Sequence, residues 1–134
     1  MVASDEIVVD ASVVLAVLLN EPEKVRIVDI TRGKSLLSPG CLRWEVGNAF
    51  SAMFKRHRLS RSQADEALSD FGSIPIKDVE VDLRRALELC ERHGIYAYDA
   101  YYLEAARKQS RPLMTLDGEM NKLAKLERIR VEEV

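Results

Sequence analysis

Glu6-Ile7-Val8-Val9-Asp10-Ala11-Ser12 is the stretch that decides the fold. An apolar, β-branched run leads straight into an aspartate, and a helix-forming stretch begins behind it. Such a run, with no polar alternation, is the pattern of a strand buried on both faces, as in a parallel sheet. In open α/β sheets, ligands bind at the carboxyl ends of the strands. Asp10 stands at that end, and other acidic residues reaching the same edge would share a pocket with it.

The chain has 134 residues, 47% apolar and 31% charged, which suits one globular domain over residues 1–134. A net charge of -2 excludes a uniformly basic nucleic-acid binder, so any RNA or DNA contact needs a local basic patch. Cys41 and Cys90 have neither CxxC spacing nor a histidine at zinc spacing, and read as reduced core thiols in a cytoplasmic protein. Met1 to Asp5 is short and acidic, unlike a signal peptide. The longest apolar run, 11–19, is too short to span a membrane.

Beyond the first strand, Ser12 is expected to cap a helix over 13–20, and Pro22 to open a second that Gly33 ends. A short strand over 35–38 stops at Pro39-Gly40. A long helix over 42–58 carries Val46, Ala49, Phe50, Met53 and Phe54 as an apolar stripe. Ser60 caps a helix over 61–71 with Ala64, Ala67, Leu68 and Phe71 inward; 74–76 is a candidate edge strand because of Pro75. A helix over 81–93 points Leu83, Ala86, Leu87 and Cys90 inward and closes at Gly94, and another covers 99–110. A strand over 112–116 ends at Asp117, a helix follows around Met120 to Leu126, and 128–131 alternates like an edge strand. Strands alternating with helices give a three-layer α/β/α domain around a mostly parallel sheet of about five strands.

Four acids sit in unusual contexts. Asp10 and Asp117 each end an apolar strand, Glu45 lies in the first turns of the long helix, and Asp99 opens a helix. If the sheet is parallel, all four reach its carboxyl edge, although 35, 54 and 18 residues separate them along the chain. Each has a bland reading. The aspartates can be helix caps or complements of a helix dipole, and Glu45 a solvated surface residue. Capping does not explain why three apolar segments each run into an acid. At roughly 6 Å and an effective dielectric near 20, each pair repels by about 3 kcal/mol. Six pairs reach on the order of 15–20 kcal/mol, at or above the whole stability of a domain. Such a cluster takes up protons or binds cations, and oxygen ligands without histidine or cysteine suit one or two Mg²⁺ or Mn²⁺ ions. Ions of this kind at a strand-end crevice suit phosphate-ester chemistry, where they polarise the phosphoryl oxygen and activate water.

Neighbouring polar groups fit. Asn48 is one turn from Glu45, Ser12 and Thr115 flank the strand-end acids, and Glu119 follows Asp117, each with local capping, packing or solvation as its bland reading. Lys55, Arg56, Arg58 and Arg61, with His57, surround one helix junction; Arg107, Lys108 and Arg111 end another helix. They are a basic rim for a polyanion or ordinary helix-end cations. Tyr98, Tyr101 and Tyr102 suit base stacking or packing.

Val8-Val9-Asp10-Ala11-Ser12-Val13, Trp44-Glu45-Val46-Gly47-Asn48-Ala49, Tyr98-Asp99-Ala100-Tyr101-Tyr102-Leu103-Glu104-Ala105-Ala106 and Leu113-Met114-Thr115-Leu116-Asp117 together resemble the PIN-domain family. The resemblance keeps the family's order and spacing over nearly the whole chain, and is nearest to VapC toxins of prokaryotic toxin–antitoxin pairs. It implies a Mg²⁺- or Mn²⁺-dependent endoribonuclease, a hydrolase of phosphodiester bonds, whose metal-holding and catalytic acids fall on Asp10, Glu45, Asp99 and Asp117. It implies supporting positions at Ser12, Asn48 and Thr115, a further acid at Glu119, a homodimer, and inhibition by a small VapB-like antitoxin. Non-toxin RNA processing and a catalytically silent PIN-fold binding protein are the alternatives. A phospho-acceptor module would need an acid beside Asp10 and a strand-end lysine, and a haloacid-dehalogenase-type phosphatase an aspartate in place of Ser12.

Overall fold

The computed structural model describes residues 5–134, so the reading of the leading residues lies, up to Ser4, outside them. The chain begins with β1 (Glu6–Val9), α1 (Ala11–Leu18), α2 (Lys24–Thr31), β2 (Ser35–Pro39), α3 (Leu42–Lys55) and α4 (Arg61–Ser73). It continues through β3 (Ile76–Val79), α5 (Leu83–His93), α6 (Ala97–Gln109), β4 (Leu113–Met114) and α7 (Gly118–Leu126).

All four strands are parallel, in the order β3-β2-β1-β4. β1 is interior, and its alternating side chains feed two separate cores. Ile7 and Val9 pack with α1, α2, α3 and α4 on one face; Val8 packs with α5, α6 and α7 on the other. The three expected layers follow. The strand order also reverses direction at β1, where the chain first adds β2 and β3 on one side and later β4 on the other. In open α/β sheets that reversal leaves a crevice at the carboxyl ends of the two central strands, here those of β1 and β4.

Among the described residues the sheet has four strands, not five. Residues 128–131 make only a single bridge, Val131 to Leu113, after Arg128 turns the chain in the left-handed region at φ 60° just behind α7. β3 starts after Pro75 rather than before it, since Pro75 has no N–H to donate to β2; the pairing runs from Leu36–Ile76 to Pro39–Val79, with Pro39 admitted only as the last residue of β2. It is an edge strand, as expected. The apolar stripe of α5 is also displaced. Ala86 and Leu89 are buried, while Leu83 and Leu87 are 56% and 52% exposed. Leu68 of α4 and Phe54 of α3 likewise face outward. The cysteines are free and half-buried. Among the described residues no helix is long and apolar enough to cross a membrane.

α6 is the best-buried helix, with Ala100, Leu103, Ala105 and Ala106 all but inaccessible, so it fixes the second core. Leu103→Ala is expected to cost about 2–5 kcal/mol in urea denaturation, and Leu68→Ala no more than about 0.5 kcal/mol. Equal losses at the two positions would contradict this assignment of core and surface.

Candidate metal and phosphodiester site

Parallel pairing decides which chain segments reach one edge. β1 and β4 end there. α3 follows β2, so it starts there, and α6 leads into β4, so it runs back across the sheet and starts there too. This delivers Asp10 after β1, Glu45 in the first turn of α3, Asp99 in the first turn of α6 and Asp117 at the N-cap of α7.

Asp10 is 7% exposed. Its Oδ1 accepts from Ser12 Oγ at 2.6 Å and from the Val13 N–H at 3.2 Å, and its Oδ2 accepts from the Thr115 hydroxyl. Asp10 therefore caps α1, and the helix begins at Ala11. Ser12, expected to be that cap, instead bridges two strand ends. Its Oγ also accepts from the Leu116 N–H at 2.9 Å and lies 3.4 Å from Thr115 Oγ1. Thr115 in turn accepts from the Asp117 N–H at 3.0 Å. Ser12 and Thr115 thus lace the ends of β1 and β4 together around one carboxylate. Asp117 is exposed, and its Oδ1 accepts from the N–H groups of Glu119 and Met120.

The acids feel one another. Burial raises the pKa of Asp10 above the usual carboxylate range, against the hydrogen bonds from Ser12, Thr115 and Val13. Burial also raises that of Glu45; Tyr102 and Cys41 lower it, and the charges of Asp10 and Asp99 raise it. Asp99 is raised by burial first, then by Asp117 and Asp10. Among the described residues no lysine or arginine forms an ion pair with any of the four.

The donor set, carboxylates and hydroxyls, is the one a hard divalent cation takes. Burial, with the charge of Glu45 behind it, holds the neighbouring Cys41 thiol up at about 11, so without a metal it is a protonated donor at neutral pH. The spacing is wider than a ligand shell: among the described residues no three His, Cys, Asp or Glu side chains are placed to hold an ion between them. Asp10 and Asp117 are committed to helix N-termini, and Glu45 is held by Tyr102.

The remaining candidates divide. Asn48 is exposed on α3 and Glu119 is exposed on α7, with no side-chain contact tying either to the acids among the described residues. Lys55, Arg56, Arg58 and Arg61 lie at the far end of α3, where Arg58 lines a recess of about 350 Å³ with Leu18, Met53 and Ala67. Arg61 pairs with Asp65 at 2.9 Å. Arg107 pairs with the fully buried Glu104 at 2.5 Å, Lys108 with Glu80 at 4.0 Å, and Arg111 with Glu6 at 3.0 Å, at the amino end of β1. The cations do not close a ring around the acids.

Two contacts went unread in the sequence: Tyr102 and Cys41 both donate to Glu45 Oε2. Their spacing carried the signal. Tyr102 is three residues after Asp99 and Cys41 four before Glu45, which are helical same-face intervals. Asn121, also unread, donates to the Thr115 carbonyl at 3.2 Å, with its Oδ1 buried and unpartnered.

A raised folded-state pKa means that the folded protein holds more protons than the unfolded chain. Between the unfolded value near 3.8 and the raised one, Asp99 therefore makes stability fall as pH rises. In chelator, Asp99→Asn is expected to melt above the parent protein at pH 7.5, and the difference should shrink towards pH 4. A variant melting at or below the parent at every pH would refute the repulsion.

The PIN domain family matches residues 7–126. Ribonuclease VapC3 of Pyrobaculum aerophilum is 26% identical over 120 residues, spanning 86% of this chain and 92% of that protein. The crystal structure of PAE2754, also from Pyrobaculum aerophilum, aligns with a TM-score of 0.63 at 23% identity, over 90% of this chain and 87% of that one. At that identity the likeness speaks for the fold. The matched span begins inside β1 and runs to the end of α7, taking in all four acids at the carboxyl edge of the sheet. This chain belongs to the PIN-domain family.

Proposed function

We propose that the chain is a divalent-metal-dependent endoribonuclease of VapC type, acting in the cytoplasm. The observation that carries this reading is the arrival of Asp10, Glu45, Asp99 and Asp117 at one sheet edge with no ion pair to any lysine or arginine among the described residues. The likeness to Ribonuclease VapC3 supports RNA as the substrate.

In this reading Asp10, Glu45, Asp99 and Asp117 hold one or two Mg²⁺ or Mn²⁺ ions. Such ions, when bound, polarise the phosphoryl oxygen, lower the pKa of water and stabilise the leaving oxygen. The protein's residues supply the rest. Asp10, with three donors on it, is the fixed point. Asp99, which accepts no hydrogen bond among the described residues, is the acid freest to adjust. Glu45 holds an ion or orients the attacking water. In-line attack joins the water oxygen to phosphorus and breaks the bond to the 3′-oxygen, leaving 5′-phosphate and 3′-hydroxyl ends. Ser12 and Thr115 keep Asp10 in place, while Asn48 and Glu119 face solvent where they are free to meet substrate.

Lys55 lies about 15 Å along α3 from Glu45, and Arg56, Arg58 and Arg61 follow in the turn beyond it and at the start of α4. There they would hold RNA several nucleotides beyond the cleaved bond, as Arg107 and Lys108 would from α6. Arg111, tied to Glu6 at the opposite sheet edge, is the least suited. Exposed Leu83, Leu87, Trp44 and Tyr98 offer a homodimer an apolar surface. Inhibition by a VapB-like antitoxin completes the reading.

With single-stranded RNA and Mg²⁺, Asp10→Asn and Glu45→Gln are expected to lose on the order of 100-fold or more in cleavage rate, and chelation to abolish it. Undiminished cleavage by either variant, or cleavage that survives chelation, would overturn the assignment.

A further inference from the structure

Glu45 is held in a way the other three acids are not. Tyr102 is 1% exposed, and its hydroxyl donates to Glu45 Oε2 from the neighbouring helix α6. Cys41 Sγ, one turn ahead of Glu45, reaches the same oxygen at 3.5 Å. Both donors fall on Oε2, and neither reaches Oε1. Asp10 has both oxygens engaged, Asp117 has Oδ1 under the backbone of its own helix, and Asp99 accepts nothing among the described residues.

We infer that Tyr102 is a positioning residue of the metal site: it ties down one oxygen of Glu45 and leaves Oε1 as the single oxygen offered to a divalent cation. This rests on the reading of Glu45 as a ligand. A glutamate on three rotatable bonds loses precision unless a second group orients it, and hydrogen bonds to the non-ligating atom of a ligand serve that purpose. The placement of Tyr102 suits that role. It stands three residues after Asp99, so one face of α6 carries both an acid of the site and the hydroxyl that holds another. Packing against the second core leaves the ring no freedom to swing away. The competing account is that a buried hydroxyl needs some acceptor and Glu45 is merely the nearest. That account predicts a stability loss and nothing else when the hydroxyl is removed.

Tyr102→Phe keeps the ring and removes the hydroxyl. Mn²⁺ binding to the full chain, followed by electron paramagnetic resonance without RNA, is compared for the parent, Tyr102→Phe, Glu45→Gln and the double variant. The metal-free melting midpoint is recorded beside it. The expected result is a dissociation constant about tenfold weaker for Tyr102→Phe. In the Glu45→Gln background, Tyr102→Phe should have almost no further effect, because the hydroxyl acts through Glu45. RNA cleavage in Mg²⁺ should show a lower kcat with KM unchanged. Parent-like Mn²⁺ affinity in Tyr102→Phe, with only a lower midpoint, overturns the positioning role. So do fully additive effects in the double variant. If Glu45→Gln itself binds Mn²⁺ as the parent does, then Glu45 is no ligand, and both the inference and that part of the proposed site fall.

Discussion

A carboxylate at the end of a doubly buried strand has to be satisfied by its immediate neighbours. Asp10 is satisfied by the Ser12 and Thr115 hydroxyls and the Val13 N–H. Those bonds do more than solvate a charge. The Val13 bond starts α1; the Ser12 and Thr115 bonds, continued to the Leu116 and Asp117 N–H groups, clasp β4 against β1 where the strand order reverses. Asp117 in turn starts α7. The turn after the central strand, the crevice beside it and the last helix are therefore one hydrogen-bonded unit built on Asp10.

That unit places charge where the fold does not need it. Capping accounts for Asp10 and Asp117. It does not account for Asp99 or for Glu45, which are pushed towards protonation mainly by burial and further by their acidic neighbours. A raised pKa makes Asp10, Glu45 and Asp99 each oppose folding at neutral pH. In the proposed reading, a fold that keeps such a group at its sheet edge trades stability for the capacity to take up a cation. Membership of the PIN-domain family and the proposed nuclease activity give that capacity a use.

Much of this was legible in the chain because parallel β/α order converts sequence position into place. Once 6–9 and 112–116 read as parallel strands, the strand-end and helix-start acids were expected at one edge of the sheet. What the sequence hid was division of labour among neighbours. Asp10 and Ser12 are both good caps, and only the β4 partner Thr115 settles that Asp10 caps while Ser12 clasps. Tyr102 read as packing or stacking because its partner lies 57 residues away. The basic groups read as a rim because helix ends cannot be ordered in space before the helix directions are known. Leu83 and Leu87 fit an apolar period, yet the helix turns Ala86 and Leu89 to the core, where they pack with α6. The lost fifth strand was an alternation that makes only the bridge at Val131, after the left-handed turn at Arg128.

The central claim is that Asp10, Glu45, Asp99 and Asp117 form one cation site in which Asp10, Glu45 and Asp99 hold protons above the usual carboxylate range until an ion displaces them. Calorimetric titration with Mn²⁺ in two buffers of different ionisation enthalpy, at mildly acidic pH, tests it directly, since ligand deprotonation makes metal binding release protons. The account expects Mn²⁺ binding accompanied by net proton release, with less release and weaker binding in Asp99→Asn. No binding, or binding without proton release that Asp99→Asn leaves unchanged, would contradict it.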